Sequence, residues 1–177
     1  MKLETNRLRL RYLTEADFVA VHSYASKKEN TIFMLFGPNT EEQTRDFINF
    51  AIKRSKENPI TSHQLAVTLK STGELIGSCD LHFEKNEGEI GWLLHLNHWQ
   101  QGYGTELGKE LLRFGFEDLN LERIIATCDS ENIGSRKLME KIGMKFVKCV
   151  KNARPSHKNS TKEFGDEMTY AIAKNEF

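Results

Sequence analysis

The sequence predicts one mixed α/β (α+β) domain: a mostly antiparallel sheet with two neighbouring parallel strands, flanked by helices. Three observations predict it. Apolar segments between 64 and 94 are separated only by short polar turns, as in an antiparallel meander. Glu89–Leu94 then leads through a glycine loop into an amphipathic helix and back to a second apolar strand. Two strands joined through a helix run parallel as neighbours. The 177 residues are 38% hydrophobic and 28% charged, a globular composition in a chain long enough for its own core.

Bulk properties narrow the function. The net charge is zero and the pI near 7.0, which argues against wholesale coating of nucleic acid. No apolar run approaches the ~18–20 residues that span a bilayer. The start, Met1-Lys2-Leu3-Glu4-Thr5-Asn6, lacks the apolar core of a secretory signal. No membrane partner is expected, and a cytoplasmic location is. The cysteines Cys79, Cys128 and Cys149 are isolated, with no Cys-x-x-Cys, so neither a disulfide framework nor a metal site is expected. Buried free thiols in a reducing compartment are.

In order along the chain, Arg7–Tyr12 alternates basic and apolar residues and predicts a strand with one wet face. Thr14, with Asp17 three residues on, predicts a helix start, and Phe18, Val21 and Ala25 its apolar side. Lys27–Asn39 is irregular yet holds Ile32, Phe33, Met34, Leu35 and Phe36, either folded over the core or walling a cleft. Thr40-x-x-Gln43 is a capping-box pattern, opening a helix to about Glu57 with Phe47, Phe50 and Ala51 inward. Asn58-Pro59 stops it. Strands follow at Gln64–Lys70, Leu75–Phe83 and Glu89–Leu94, separated by Ser71–Glu74 and Glu84–Gly88. Leu107, Leu111 and Phe114 give the next helix one apolar face, to about Asn120. Arg123–Cys128 is a strand. Asp129–Asn132 opens a helix with Leu138, Met139 and Ile142 inward and Gly143 at its end. Lys145–Val150 is a strand, Lys151–Asp166 a polar loop, and Met168–Ala173 the last strand.

The glycine loop is where chemistry is expected. Gly102 and Gly104 sit where a helix exposes unpaired N–H groups and the positive end of its dipole, an anion-binding arrangement. The Gly-Lys-Ser/Thr ending of a triphosphate-binding loop is absent, and so is the third glycine of a dinucleotide fingerprint. A diphosphate held by amides, with its chemistry elsewhere, fits; coenzyme A is such a ligand.

Glu89-Ile90-Gly91, Trp99-Gln100-Gln101-Gly102-Tyr103-Gly104-Thr105-Glu106, and Asn132-Ile133-Gly134-Ser135 followed by Glu140-Lys141-Ile142-Gly143 occur in this order. Together with the opening Leu3-Glu4-Thr5-Asn6-Arg7-Leu8-Arg9-Leu10-Arg11, they make the chain resemble the GNAT (Gcn5-related N-acetyltransferase) superfamily. More narrowly, it resembles the branch of the ribosomal-protein N-terminal acetyltransferases. The resemblance implies one such domain over residues 1–177. It implies that the two parallel strands, Glu89–Leu94 and Arg123–Cys128, splay apart with acetyl-CoA between them, its pantetheine along Trp92, Leu93 and Leu94 and its pyrophosphate on the amides of Gln101, Gly102, Tyr103, Gly104 and Thr105. It also implies Asn132 beside the pantetheine and Ser135 facing the thioester sulfur. The wider superfamily has Gln or Arg where this chain has Trp99.

The implied reaction is direct attack of a neutral amine on a thioester, with no covalent enzyme intermediate. Backbone N–H groups at the splay stabilise the oxyanion. Ser135 either donates to the departing sulfur or caps its helix with Asn132. An α-amine, with a pKa near ~8, is roughly a tenth neutral at pH 7, whereas a lysine near ~10.4 is far less so. A protein N-terminal α-amine, of a ribosomal or other protein, is therefore the preferred acceptor. Small-molecule amines and a silent acyl-CoA binder are the alternatives. Glu89 either receives the amine proton or makes a cross-strand ion pair; Asp80 and His82 are lesser candidates. Lys141, Lys145, Lys148, Lys151, Arg154, Lys158 and Lys162 lie in a stretch without acids up to Lys162. It is a solvated face, a lure for an acidic substrate or RNA, or, with Arg136, Lys137 and Lys141, a grip on the coenzyme's 3′-phosphate. Whether the protein is a monomer or a homodimer is left open.

Overall fold

In the computed structural model, which describes residues 2–155 and 164–177, the described residues form one eight-stranded sheet. The strands are β1 (Lys2–Glu4), β2 (Leu8–Tyr12), β3 (Ser62–Leu69), β4 (Leu75–Glu84), β5 (Glu87–Leu94), β6 (Arg123–Asp129), β7 (Lys145–Pro155) and β8 (Phe164–Ala173). The helices are α1 (Phe18–Ala25), α2 (Lys28–Thr31), α3 (Glu41–Arg54), α4 (Tyr103–Arg113) and α5 (Ile133–Lys141). Across the sheet the order is β1-β2-β3-β4-β5-β6-β8-β7. Every pair is antiparallel except β5–β6.

That parallel pair is short. Its register runs Glu87↔Arg123, Gly88↔Ile124 and Glu89↔Ile125 and then stops. On its other side β5 pairs with β4 as far as Gly77↔Leu94. Ile90–Leu94 therefore has a ladder partner on one side only. This is the splay that the resemblance implies.

Alternation along the strands divides the core between two faces. Leu94 joins Leu107, Leu111, Met139 and Ile142 of α4 and α5 on one face. Its neighbour Leu93 joins Val21, Tyr24, Ile48 and Ala51 of α1 and α3 on the other. Fully buried leucines such as Leu81, Leu107 and Leu111 each contribute ~1.5–3 kcal/mol by leaving water. The capping box of α3 forms as expected, with Gln43 N–H donating to Thr40 Oγ1 (3.2 Å) and Thr40 N–H to Gln43 Oε1 (2.9 Å). Asp17 accepts the Thr14 N–H (2.8 Å) and a two-pronged Arg11 guanidinium (2.7 Å each). The guanidinium holds its carboxyl below the usual range despite burial.

The structure corrects several expectations. β1 is an added strand, pairing Leu3 with Leu10. Phe50 is 51% exposed, because Thr44, Ile48 and Ala51 form the inward stripe of α3, which ends at Arg54. After Arg113 the helix expected to reach Asn120 continues as one π turn, Phe114–Asp118. Much of the expected loop Lys151–Asp166 is strand, since β7 and β8 extend toward each other as a hairpin. Lys158 and Lys162 lie outside the described residues. Cys79 and Cys128 are buried free thiols, but Cys149 is exposed, on the outermost strand.

Candidate active site

The loop before α4 is bent by two residues with positive φ, Gln100 (59°) and Gly102 (82°). The first helical bond in the region joins Glu106 N–H to the Gly102 carbonyl (3.1 Å). Above it the N–H groups of Tyr103, Gly104 and Thr105 have no acceptor within the helix. They fit an anion without a side chain to hold it. The other end of the chain braces this loop. Arg7 stacks 4.3 Å over the Tyr103 ring, donates to the Gln101 carbonyl (3.0 Å) and pairs with Glu106 (2.7 Å). Glu106 also accepts from the Arg7 N–H (2.7 Å) and the Thr5 hydroxyl.

Gly104 also serves the packing of the helices. A Cβ there would lie 2.5 Å from Leu138 Cδ1, so the glycine lets α4 and α5 approach. Trp99 donates its indole N–H to the Leu94 carbonyl (2.8 Å), which also accepts from the buried Asn30 side chain (2.9 Å). With two donors on that oxygen, its acceptor capacity is filled. Trp92 is half-buried and Leu93 buried.

Asn132 caps α5, accepting from the Ser135 N–H (3.0 Å). This realises the capping reading for the Ser135 backbone, while the half-buried Ser135 side chain is not used in that bond. Lys137 and Lys141 are exposed. Arg136 donates to the Ser130 carbonyl (3.4 Å) and hydrogen-bonds the Tyr170 hydroxyl.

On the α1/α3 face, His82 and Glu89 are directly opposite in the β4–β5 register. Glu89 accepts from the Thr127 hydroxyl (3.0 Å) and lies 3.5 Å from His82 Nε2, while Asp80 lies 3.6 Å from His82 Nδ1. Asp80 rests over Gly91, where a Cβ would come within 2.6 Å of its carboxylate oxygen. Asp80 and Glu89 hold the His82 imidazole protonated, its pKa raised to about 10, and His82 in turn holds Glu89 below the usual carboxylate range. The cluster is an imidazolium between two carboxylates, opening onto a cleft of about 610 Å³. At the end of β5, burial keeps the His95 imidazole toward its neutral form, and its Nδ1 accepts from the Asn97 N–H (3.1 Å).

This cluster predicts a pH dependence. A histidine raised in the folded state stabilises fully below its ordinary value of 6.5, and the gain fades as pH climbs toward about 10. The side chain is 54% exposed, so solvent reduces the effect well below full linkage. Chemical denaturation from pH 6 to 10 is expected to show a downward slope that His82→Gln flattens; an equal slope in both proteins would contradict the pairing.

Sequence reading missed Arg7, Thr5 and Asn30 as parts of the site. Their partners are 64 to 101 residues away, and no local pattern signals them.

Comparison with known proteins places these features in context. The family model described as "Acetyltransferase (GNAT) domain" matches residues 7–145. The uncharacterized N-acetyltransferase YnaD of Bacillus subtilis (strain 168) is 34% identical over 183 residues, covering 100% of this chain and 99% of that protein. A crystal structure of an acetyltransferase (GNAT family) from Bacillus anthracis is 33% identical, with a TM-score of 0.86 over 99% of this chain and 100% of that one. The ribosomal L7/L12 alpha-N-protein acetyltransferase RimL, solved with coenzyme A, superposes with a TM-score of 0.84 over 98% of each chain. At 16% identity its likeness is one of fold.

Proposed function

Because this chain belongs to the GNAT acetyltransferase family and is an acetyl-CoA-dependent acyltransferase, we propose that its acceptor is the α-amine of a protein N-terminus. The observation that carries this is the state of the Glu89–His82 pair. Glu89 is engaged by the Thr127 hydroxyl and by His82, which hold it ionised, so the pair offers no strong base. An α-amine, with a pKa near ~8, loses its proton to water readily; a lysine near ~10.4 needs a base. That RimL, of like fold, acts on a ribosomal protein's α-amine supports the same reading.

In this proposal residues 1–177 act as one domain. Acetyl-CoA supplies the activated acyl group. The amides of Gln101, Gly102, Tyr103, Gly104 and Thr105 hold its diphosphate, with the α4 dipole behind them. The free edge at Trp92 and Leu93 offers main-chain pairing, since the Leu94 carbonyl is already occupied. Leu94 itself contributes packing. Asn132 orients the start of α5, and Lys137 stands exposed for the outlying phosphate. An N–C bond forms and a C–S bond breaks. The amine loses its ammonium proton to water before attack, Glu89 stays ionised in its pair with His82, and the second proton shed by nitrogen as the amide forms replaces the one that Ser135 donates to the departing sulfur. A cytoplasmic setting is supported by the buried free thiols Cys79 and Cys128, and among the described residues no helix is long and apolar enough to cross a membrane.

Ser135→Ala is expected to lower kcat on the order of tenfold or more while coenzyme affinity by calorimetry stays within about twofold. A parallel loss of affinity would reduce Ser135 to a structural role. Arg7→Ala, which unpairs Glu106 and frees the loop, is expected to weaken coenzyme A binding about tenfold, and less so at high salt; unchanged affinity would contradict the brace. The function itself is tested by acetyl transfer from labelled acetyl-CoA to a panel of ribosomal proteins, peptides, polyamines and aminoglycosides. Label on proteins or peptides at their N-termini is expected; label on polyamines or aminoglycosides alone would sink the proposal.

A further inference from the structure

A cavity of about 440 Å³ lies between α1, α3 and β4, on the face that carries Glu89. That volume lies within the usual range for a small-molecule site. Val21, Ala25, Met34, Phe36 and Phe47 wall it, and Ser78 of β4 lines it from the sheet. Among the described residues lining it, none is charged. Deep in its wall the Tyr24 phenol is buried, lies beside the Ser78 hydroxyl and has no hydrogen-bond partner of good geometry. The outer lip is the segment left open by the sequence. There Leu35 is 63% and Phe36 44% exposed, more apolar surface than a mere cover over the core requires. Arg154 fastens this segment to the β7–β8 hairpin, donating to the Phe33 carbonyl (3.4 Å) and pairing with Glu167 (3.3 Å).

Position ties the cavity to the splayed strand. Ser78 pairs with Leu93 in the β4–β5 register, inside the part of β5 that has a free edge. Two residues along the same face stands Asp80, followed by His82 opposite Glu89. The charged cleft at His82 and Glu89, walled by Arg54, Glu84, Lys85 and Glu87, lies against the closed part of the β5–β6 pair, whereas this uncharged cavity lies along the open part, where the coenzyme is proposed to pair. A charged substituent entering the cavity would lose water without gaining a counter-ion.

We infer that this cavity receives the substituent of the acceptor amine, and that the substituent is uncharged and mainly apolar. For a peptide this means a large first side chain such as Leu, Met or Phe in place of Ser, Asp or Lys. The inference rests on the α-amine transfer proposed above. It also excludes polyamines and aminoglycosides on chemical grounds, since both carry further cations.

The test is a set of peptides identical except for the first residue (Ser, Ala, Leu, Phe, Asp, Lys), assayed with acetyl-CoA. The kcat/KM for Leu or Phe is expected to exceed that for Ser, Asp and Lys by about tenfold or more, mostly through KM. Met34→Trp, which narrows the cavity at a half-buried position, is expected to erase the preference for Phe while calorimetric coenzyme affinity and melting temperature hold. Phe47→Ala, which enlarges it, should shift the preference toward the larger side chain. Acetylated peptides with no first-residue preference, or with Asp or Lys preferred, would overturn the cavity assignment and leave the α-amine reading standing. Peptides left untouched while isopentylamine and phenethylamine are acetylated would do the reverse. If no amine is acetylated, calorimetry with phenethylamine in the presence of coenzyme A decides, and absence of binding overturns the inference.

Discussion

Gly77→Ala is expected to destabilise the protein by about 2–3 kcal/mol and to weaken coenzyme binding with it. Gly77 sits on β4 opposite Leu94. A Cβ at this position would fall far inside contact with the Leu93 carbonyl oxygen and 2.9 Å from Leu94 Cα. Those are main-chain atoms, which cannot rotate aside, so β5 itself must shift. Removing a glycine from the unfolded chain favours folding by only about 0.4–1 kcal/mol, so the clash wins. The shift falls on Leu93 and Leu94, the end of the strand proposed to pair with the coenzyme. Urea denaturation with calorimetry checks both effects. A variant with unchanged stability and affinity would show that this part of β5 is not held as described.

Gly104→Asp is the second large effect, and packing adds a cause to the one the motif suggests. The glycine pattern leads one to expect a carboxylate set against a pyrophosphate. In the fold the new Cβ meets Leu138 Cδ1 at 2.5 Å, with Leu94 Cδ1 at 3.9 Å. An acid in the first turn of a helix gains about 0.3–1 kcal/mol from the dipole. Driving a carboxylate between leucines costs about 2–3 kcal/mol in strain and desolvation. The net is a loss of stability even without coenzyme, measurable as a lower melting temperature of the apoprotein. Gly104→Ala should show a smaller loss, because Leu138 Cδ1 is the far end of a flexible side chain. A Gly104→Asp protein as stable as the parent, but unable to bind coenzyme A, would contradict the packing and leave the pyrophosphate contact as the sole cause.

These cases show what was legible and what was not. The meander, the crossover from β5 to β6 and the α3 capping box follow from local rules of period, turn chemistry and spacing, and all are present. Strand β1 has three residues, too few for a period. The ends of β7 and β8 are polar by composition, and only pairing with each other makes them strands. Patterning places Phe50 inward because phenylalanine outweighs Thr44 on any hydrophobicity scale, yet Thr44 is the residue that faces inward. Within the site, the glycine loop announced itself. Its brace did not, because Arg7 and Glu106 are 99 residues apart. Glu89 was recognisable as an acid near the reaction, but its pairing with His82 depends on the β4–β5 register.

The acyl group is proposed to go to an α-amine because the site supplies no strong base. The direct test is one peptide with a free N-terminus, a leucine first residue and a single internal lysine, incubated with the protein and acetyl-CoA and sequenced by mass spectrometry. The account predicts one acetyl group, on the α-nitrogen. Acetyl on the lysine Nζ, with the N-terminus left free, would contradict it.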